Sequence, residues 1–182
     1  SLLDSRGLNQ TLKSALPVGS RIARRIRVSG VASNARHTTG VTLVGIDPED
    51  EARASFIGSC PIQGSYLAAE DEWSILIGRA LAEQLETGPG RKLILMAQNR
   101  QAEISSRAYR IKGLFDAEMR STEKKFVFVT RSSAAKMLGM EGLISEVSAT
   151  LPKNGLADDA KAAVAARLSN STHIVQTWKE AL

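Results

Sequence analysis

Phe126-Val127-Phe128-Val129 is the stretch that decides how this chain is expected to fold, because it is apolar at four successive positions. A strand with one solvent face alternates apolar and polar residues, whereas a strand buried on both faces can be apolar throughout. We therefore expect this stretch to lie at the centre of a sheet. Residues 132–138 behind it have the pattern of a short helix.

The pattern continues towards the C-terminus as strand, helix and strand. Residues 143–151 alternate as a strand, and 173–178 are predicted as one more. Between them, one helical stripe of apolar residues is formed by Leu156, Ala160, Ala163, Val164 and Leu168. This order predicts an α+β fold with a split β-α-β arrangement, in which the first and last thirds of the chain share one sheet.

The middle third is predicted to be rich in strands. Residues 74–78 enter a helix that ends at Gly88-Pro89-Gly90. Residues 91–96 and 104–115 form a predicted antiparallel hairpin around a polar loop. Strand alternation would place four residues of the second arm on one face: Tyr109, Ile111, Gly113 and Phe115. We expect 55–123 to form an inserted β-rich lobe, and 1–54 with 124–182 to form the other lobe.

The N-terminal third is predicted to be a helix followed by two strands. The helix covers 6–16, and the strands cover 21–31 and 39–46 with a polar loop between them. Asp47-Pro48-Glu49-Asp50-Glu51 then has the residue order of a helix start, with a cap, a first-turn proline and carboxylates near the positive end. These acids need no metal ion to explain them.

The composition narrows the classes of protein to which the chain can belong. The chain has 182 residues, of which 43% are apolar, and 24 Lys and Arg against 19 Asp and Glu give a net charge of +5. This charge would suit an acidic partner but is also ordinary for a domain. No apolar run is long enough to span a membrane. Because the chain opens at Ser1 and closes on Trp178-Lys179-Glu180-Ala181-Leu182, we expect it to be a domain of a longer protein.

No residue pattern predicts catalysis, a cofactor or a metal ion. The two histidines, His37 and His173, lie in a predicted loop and at a predicted strand start, and no serine elbow accompanies them. A hydrolase would need one of them beside a serine and a carboxylate. The single Cys60 cannot form an internal disulfide or a structural zinc site, and no activating histidine lies near it in sequence. We expect a domain that works by contacting other proteins.

A basic cluster formed by Arg21, Arg24, Arg25 and Arg27 has two interpretations. It could contact phosphates in a nucleic-acid binder. Because the arginines alternate with Ile22, Ile26 and Val28, we favour one solvated face of a strand. Nucleic acid is therefore not expected as a partner.

Four short stretches, in this order, resemble the extracytoplasmic domain of MacB/FtsX-type ABC-transporter permeases, and most closely the lipoprotein-releasing LolC/LolE branch. The stretches are Val44-Gly45-Ile46-Asp47-Pro48-Glu49-Asp50-Glu51, Ile75-Leu76-Ile77-Gly78-Arg79-Ala80-Leu81-Ala82 through Gly88-Pro89-Gly90, Tyr109-Arg110-Ile111-Lys112-Gly113-Leu114-Phe115, and Thr177-Trp178-Lys179-Glu180-Ala181-Leu182. Together they span about 41–182.

The resemblance implies a domain between the first and second membrane helices of an inner-membrane permease, facing the periplasm of a Gram-negative bacterium. It also implies a porter-like α/β lobe, 1–54 and 124–182, carrying the inserted lobe 55–123. The implied partners are the membrane helices of the same parent chain, a cytoplasmic ATPase subunit, a second permease subunit, and a periplasmic lipoprotein carrier or lipoprotein cargo. ATP would be hydrolysed by the separate subunit.

In that branch one permease type recruits the carrier with a protruding hairpin loop, and the comparable place here is 97–106. The candidate partner-binding residues in it are Gln98, Asn99, Arg100, Gln101 and Glu103. This loop is short, polar and free of proline, which departs from the family pattern. The expected function is to couple ATP-driven motion to release or transport of lipoprotein or other hydrophobic cargo. The alternatives are regulation of a cell-wall hydrolase and a free-standing basic binding module for nucleic acid or an acidic ligand.

Overall fold

A computed structural model describes residues 3–153, 156–168, 174–177 and 180. Its strands are β1 (Leu3–Asp4), β2 (Arg21–Ser33), β3 (Thr38–Ile46), β4 (Ile62–Gly64), β5 (Ser74–Gly78), β6 (Lys92–Gln98), β7 (Ile104–Phe115), β8 (Phe126–Thr130), β9 (Leu143–Ile144) and β10 (Glu146–Thr150). Its helices are α1 (Ser5–Ala15), α2 (Pro48–Ala54), α3 (Arg79–Gln84), α4 (Arg120–Lys125), α5 (Arg131–Leu138) and α6 (Ala157–Arg167). The predicted α+β class is confirmed. Within the described part of the chain, no helix is both long and apolar enough to cross a membrane.

Six strands form a closed ring of hydrogen-bonded neighbours. The main sheet runs in the order β10-β2-β3-β8-β5-β7-β4, and β6 pairs with both β7 and β2. The path therefore returns to its start, as β2-β3-β8-β5-β7-β6-β2. This closure depends on the length of β2, because its final residues, 30–33, pair with β3 on one side and with β6 on the other.

The four apolar residues that open β8 lie where their pattern predicts. β8 runs parallel to β3 and antiparallel to β5, so it has a neighbour on each side. Val127 and Val129 have no exposed surface, and Phe128 is 5% exposed. Val127 and Val129 belong to a core inside the ring, whereas Phe128 belongs to a second core outside it. Burial on both faces is confirmed.

The two cores differ in size and in what covers them. The inner core takes side chains from all six strands of the ring and from α3 and α5. The outer core is smaller and is built on an edge-to-face trio of rings, Phe56, Phe115 and Phe128, with centroids 5.4–6.3 Å apart. Edge-to-face contacts of this kind add to the stabilisation from apolar burial. The sheet is thus packed on both faces beside β8.

A β-bulge in β7 corrects one sequence prediction. Ile75 of β5 pairs with Ile111, but the next residue, Leu76, pairs with Gly113, so Lys112 is an extra residue in β7. An extra residue shifts the strand alternation by one position. Tyr109 and Ile111 consequently face the inner core, whereas Phe115 faces the outer core. The prediction that all four alternate residues share one face is wrong beyond Ile111.

The split β-α-β arrangement is not confirmed. β5 and β7 of the middle third lie in the same sheet as β2, β3 and β8 of the outer thirds. The division into 1–54 with 124–182 and 55–123 stays a prediction, and it has to accommodate this shared sheet. Of the strand predicted over 173–178, the described residues 174–177 are not in a strand, and His173 and Trp178 lie outside the described residues.

The start of α3 is held by a buried carboxylate. Glu123 of α4 is 7% exposed, and its two oxygens accept hydrogen bonds from the backbone N–H groups of Ala80, at 2.9 Å, and Ala117, at 3.0 Å. The first N–H groups of a helix have no partner within the helix, so this carboxylate satisfies one of them. Gly78 permits the approach, because a Cβ there would lie 2.1 Å from the Glu123 carbonyl oxygen.

Candidate partner-binding hairpin

The tip of the β6–β7 hairpin is a compact loop of residues 99–103. Asn99 organises it: its side-chain oxygen accepts hydrogen bonds from the N–H groups of Gln101, at 3.0 Å, and Glu103, at 2.9 Å. The N–H of Asn99 donates to the Glu103 carbonyl at 2.8 Å. Ala102 adopts a left-handed conformation with φ 64°. The tip is therefore folded on itself, in agreement with the short polar loop predicted here.

The five predicted partner-binding residues have two different roles in this loop. Asn99 is half-buried and holds the turn, and Gln98 ends β6 with its amide donating to the Ala102 carbonyl at 3.0 Å. Arg100, Gln101 and Glu103 are exposed. The loop therefore offers one cation, one amide and one carboxylate to a partner.

The tip is anchored to the C-terminal end of α5. The backbone N–H of Arg100 donates to the carbonyl of Leu138 at 3.0 Å. Gly139 ends α5 in a left-handed conformation with φ 63°, and the Gln101 side chain lies beside it. Because the last carbonyls of a helix lack partners within the helix, this contact both satisfies one and fixes the loop. Hairpin tip and α5 are thus joined.

The N-terminal end of α5 is joined to β7 by buried polar groups. Ser133, with no exposed surface, donates from its hydroxyl to the Glu72 carbonyl at 2.6 Å. The Tyr109 hydroxyl lies 2.9 Å from the Ser133 hydroxyl oxygen and can donate to it. Burial raises the pKa of Tyr109 above its usual range. These bonds satisfy polar groups that would otherwise be costly to bury.

Arg107 extends this network to the surface. Its guanidinium donates to the Ser133 carbonyl at 3.1 Å and to the Glu72 carboxylate at 2.9 Å. It also lies 3.9 Å from the centre of the Trp73 ring, and Trp73 is 58% exposed. Stacking of a guanidinium on an indole is favourable. Neither Arg107 nor its contact with Trp73 could be found from the sequence, because the two are far apart in the chain.

The basic cluster of β2 does not form a single solvated face. Consecutive residues of a strand point to opposite sides, so Arg24 projects on the side opposite Arg21, Arg25 and Arg27. Arg24 forms an ion pair with Asp47 at 3.3 Å, and Arg27 forms one with Glu146 at 3.4 Å. The prediction of one solvated face is therefore wrong, since the alternation places one arginine with the isoleucines.

Arg25 is the most thoroughly paired of these arginines. Its guanidinium holds both oxygens of Glu51, with a shortest distance of 2.7 Å, and also contacts Glu146 at 2.8 Å. Glu51 is 2% exposed. This paired geometry links α2, β2 and β10. Arg25 is consequently engaged within the protein rather than available to a phosphate.

Of the two histidines and the cysteine, the structure describes His37 and Cys60. His37 lies near Glu86, with Nε2 3.3 Å from a carboxylate oxygen, although the angle is not that of a hydrogen bond. His173 lies outside the described residues. Burial raises the pKa of the Cys60 thiol, which keeps it protonated and weakly nucleophilic at neutral pH. The sequence prediction that these residues form no site stays a prediction.

A surface cleft of about 190 Å³ lies where the parallel strands β3 and β8 end. Asp47, at the start of α2, occupies this end of the sheet. Its carboxylate accepts two hydrogen bonds from Arg131, at 2.9 and 3.0 Å, and pairs with Arg24. Both guanidinium groups at this place are thus paired with the same carboxylate of the chain.

Comparison of the whole fold with solved structures gives a clear likeness. The extracellular domain of the noncanonic ABC-type transporter YknZ from Gram-positive bacteria superposes with a TM-score of 0.66, covering 93% of this chain and 83% of that one, at 15% identity. The chain has the fold of this transporter domain. A domain described as part of a permease protein from Porphyromonas gingivalis gives a TM-score of 0.48 at 13% identity, over 90% of this chain and 69% of that one, which is too low to carry weight. No family model and no curated protein matches the sequence.

Three of the four family-like stretches can be placed on this fold. Val44 to Glu51 covers the end of β3 and the start of α2, Ile75 to Ala82 covers β5 and α3, and Tyr109 to Phe115 covers the bulged half of β7. Each of these includes part of a strand of the closed ring. Most of the fourth stretch, from Thr177, lies outside the described residues.

Proposed function

We propose that this chain is the extracytoplasmic domain of an ABC-transporter permease and that it transmits motion instead of performing chemistry. The observation that carries the proposal is the shared fold with the extracellular domain of YknZ over 93% of the chain. The order of the family-like stretches on β3, β5 and β7 supports the same assignment. On this proposal ATP is hydrolysed by a separate cytoplasmic subunit.

The closed ring suits such a role because each of its strands is hydrogen-bonded to a neighbour on both sides, so it has no free edge strand. Moving one strand relative to its neighbours would break hydrogen bonds between them. The hairpin tip is fixed to α5 through the Arg100 N–H, and α5 is fixed to β7 through Ser133. A displacement at one end of this body would therefore be carried to the hairpin tip by rigid-body movement.

For the cargo, we propose lipoprotein or another hydrophobic molecule, released or transported on the periplasmic side of an inner membrane. The support is the sequence resemblance to the lipoprotein-releasing branch, since the fold likeness speaks only to the general kind of domain. Arg100, Gln101 and Glu103 are the proposed contacts with a carrier or cargo protein. The basic module that binds nucleic acid is not favoured, because Arg24, Arg25 and Arg27 are held in ion pairs.

The gene that encodes this segment gives the first test. The proposal requires one apolar membrane span before Ser1, three after Leu182, and an ATPase gene beside it. A reading frame without membrane spans on either side would exclude the permease assignment. This test does not depend on which cargo is moved.

The second test uses the full-length permease with its ATPase, reconstituted in vesicles that contain a fluorescent acylated lipoprotein. Arg100→Ala with Gln101→Ala should reduce lipoprotein release about ten-fold, since both side chains are exposed at the centre of the proposed contact. Basal ATP hydrolysis should be unchanged. The matched control is Glu118→Ala with Lys124→Ala, two exposed residues beside and within α4. Equal release from both variants would show that the hairpin tip is not the contact.

A further inference from the structure

One outer wall of the closed ring is exposed and carries no charge. The outward positions are every second residue of four adjacent strands: 38, 40 and 42 of β3; 29, 31 and 33 of β2; 94, 96 and 98 of β6; and 104, 106 and 108 of β7. We call these three positions on each strand the uncharged face. The residues between them on β2, β3 and β6 point into the ring, as the burial of Ala32, Val41 and Leu95 shows.

The composition of the uncharged face is unusual for an exposed surface of this chain. Charged residues make up 24% of the sequence, so about three of the twelve positions would be charged at that frequency. Instead the face contains serine, threonine, glycine and glutamine around apolar side chains. Ile104 is 73% exposed and Ile94 is 39% exposed. Val31 of β2, the strand beside β3, is paired with Met96 of β6. Depletion of charge around an apolar centre is characteristic of protein interfaces.

Cations lie at one end of this face. Lys92 of β6 is directly opposite Arg110 of β7 in the strand register. Among the residues that the structure describes, neither has an ion-pair partner, and Arg91 beside them has none. The Arg110 guanidinium donates instead to the Gly90 carbonyl at 2.6 Å. Like charges placed directly opposite on paired strands repel, so this arrangement weakens the hairpin in the absence of a partner.

We propose that the uncharged face is a docking surface for a second protein whose own surface is uncharged at its centre and carries carboxylates opposite Lys92 and Arg110. Such a partner would cover the apolar side chains and relieve the repulsion between the two cations. The face measures roughly 300 Å² from strand spacing and length. A stable interface needs about 800 Å² from each partner. The contact is therefore the centre of a larger interface or of a weak, reversible one.

Charge complementarity favours this partner over a second copy of the chain. The hairpin of a second copy carries one carboxylate near the face, Glu103, and Arg100 lies beside it in the same tip. A contact between the uncharged faces of two copies would add cations to the end formed by Lys92 and Arg110 without a net gain of negative charge. The proposal does not depend on the permease assignment.

The test is site-specific photo-cross-linking in the cells to which the gene belongs, with the full-length protein. The cross-linker p-benzoylphenylalanine replaces Ser106, an exposed residue within the uncharged face, or Asp159 on α6 as a control position. We expect one discrete adduct from position 106 and none from position 159. Mass spectrometry of the adduct should identify a different protein, joined through a peptide with Asp or Glu near the cross-link.

The charge requirement is tested by Lys92→Glu with Arg110→Glu in the cross-linking protein. This double change reverses both charges but keeps like charges opposite each other, so the stability lost should be only that of the exposed hydrogen bond from Arg110 to the Gly90 carbonyl. The adduct should decrease at least about ten-fold. Absence of an adduct, an adduct of two copies of this chain, or an adduct that survives the double change would each overturn the proposal.

Discussion

The carboxylate of Glu51 is more deeply buried than any other acidic group that the structure describes, and Arg25 holds both of its oxygens. Arg25→Ala would leave this charge buried with no cation against it. Breaking a buried pair from one side costs about 3–5 kcal/mol. We therefore expect the free energy of unfolding, measured by urea titration, to decrease by that amount.

An exposed ion pair from the same helix provides the control for this prediction. Arg53 donates to Asp50 at 3.0 Å, and the Arg53 side chain is 60% exposed. Because water screens such a pair, Arg53→Ala should change the free energy of unfolding by less than about 1 kcal/mol. If Arg25→Ala costs no more than Arg53→Ala, the Arg25–Glu51 pair has no structural importance beyond that of a surface contact.

Asp116 should make the stability of the protein sensitive to acid. Its carboxylate accepts two hydrogen bonds from the Arg79 guanidinium, and these lower its pKa below the ordinary value of about 3.9, while partial burial opposes the shift. A carboxyl with a lowered pKa stabilises the fold above its unfolded pKa, and this contribution is lost as the pH falls through the folded pKa. The melting-temperature difference between the parent and Asp116→Asn should be constant above about pH 5 and shrink towards pH 2. A difference that grows on acidification would contradict this account.

At the scale of paired strands, the cross-strand pair Lys92–Arg110 leads to a prediction of increased stability. Lys92→Glu places a carboxylate directly opposite Arg110 in β7. Replacing repulsion with attraction at such a position contributes about 0.2–1 kcal/mol. For a chain of this length the melting temperature should rise by about 0.4–4 °C.

Lys92→Arg serves as the control, because it keeps the like charges and should leave the melting temperature unchanged. The same Lys92→Glu change should weaken the proposed docking contact, so one substitution would raise stability and lower binding. A Lys92→Glu variant that melts at or below the temperature of Lys92→Arg would show that the opposed cations do not repel measurably.

Most elements were predictable because their patterns are local. The apolar run 126–129, the β-branched run 39–46 and the hairpin with its polar tip each correspond to an observed element. The effect of Lys112 was not predictable, because an extra residue in β7 is defined only by the pairing with β5. The closure of the ring was missed for the same reason, since it depends on which strand pairs with the end of β2.

The candidate site likewise has features that were predictable from the sequence and features that were not. The polar residues of the hairpin tip were recognisable because they follow one another in the sequence. The stacking of Arg107 on Trp73 and the opposition of Lys92 and Arg110 join residues that are distant in sequence, so only the three-dimensional structure reveals them. The uncharged face likewise consists of alternate residues on four strands, whose intervening residues obscure it in the linear sequence.

For the molecule as a whole, the contrast that matters is between the ring and the helices α1 and α6. β8 has a hydrogen-bonded neighbour on each side and residues in both cores. In α6 the buried side chains are Ala160 and Val164, and α1 contacts α6, with the Arg167 guanidinium donating to the Ser14 hydroxyl at 2.7 Å. Segments that bury few side chains open at a lower free energy than core strands.

Amide hydrogen exchange should therefore separate these two parts of the molecule. The amides of α6 should exchange at least about 100-fold faster than those of β8, because α6 can open without breaking the closed ring. We expect this difference if the ring stays closed while the pair of helices α1 and α6 opens more easily. Exchange of α6 and β8 at the same rate, with the same dependence on low denaturant concentration, would show that the molecule opens only as one unit. In that case α1 and α6 would belong to the same rigid body as the ring. The movement proposed for this domain would then have to begin in a part of the protein outside the residues that the structure describes.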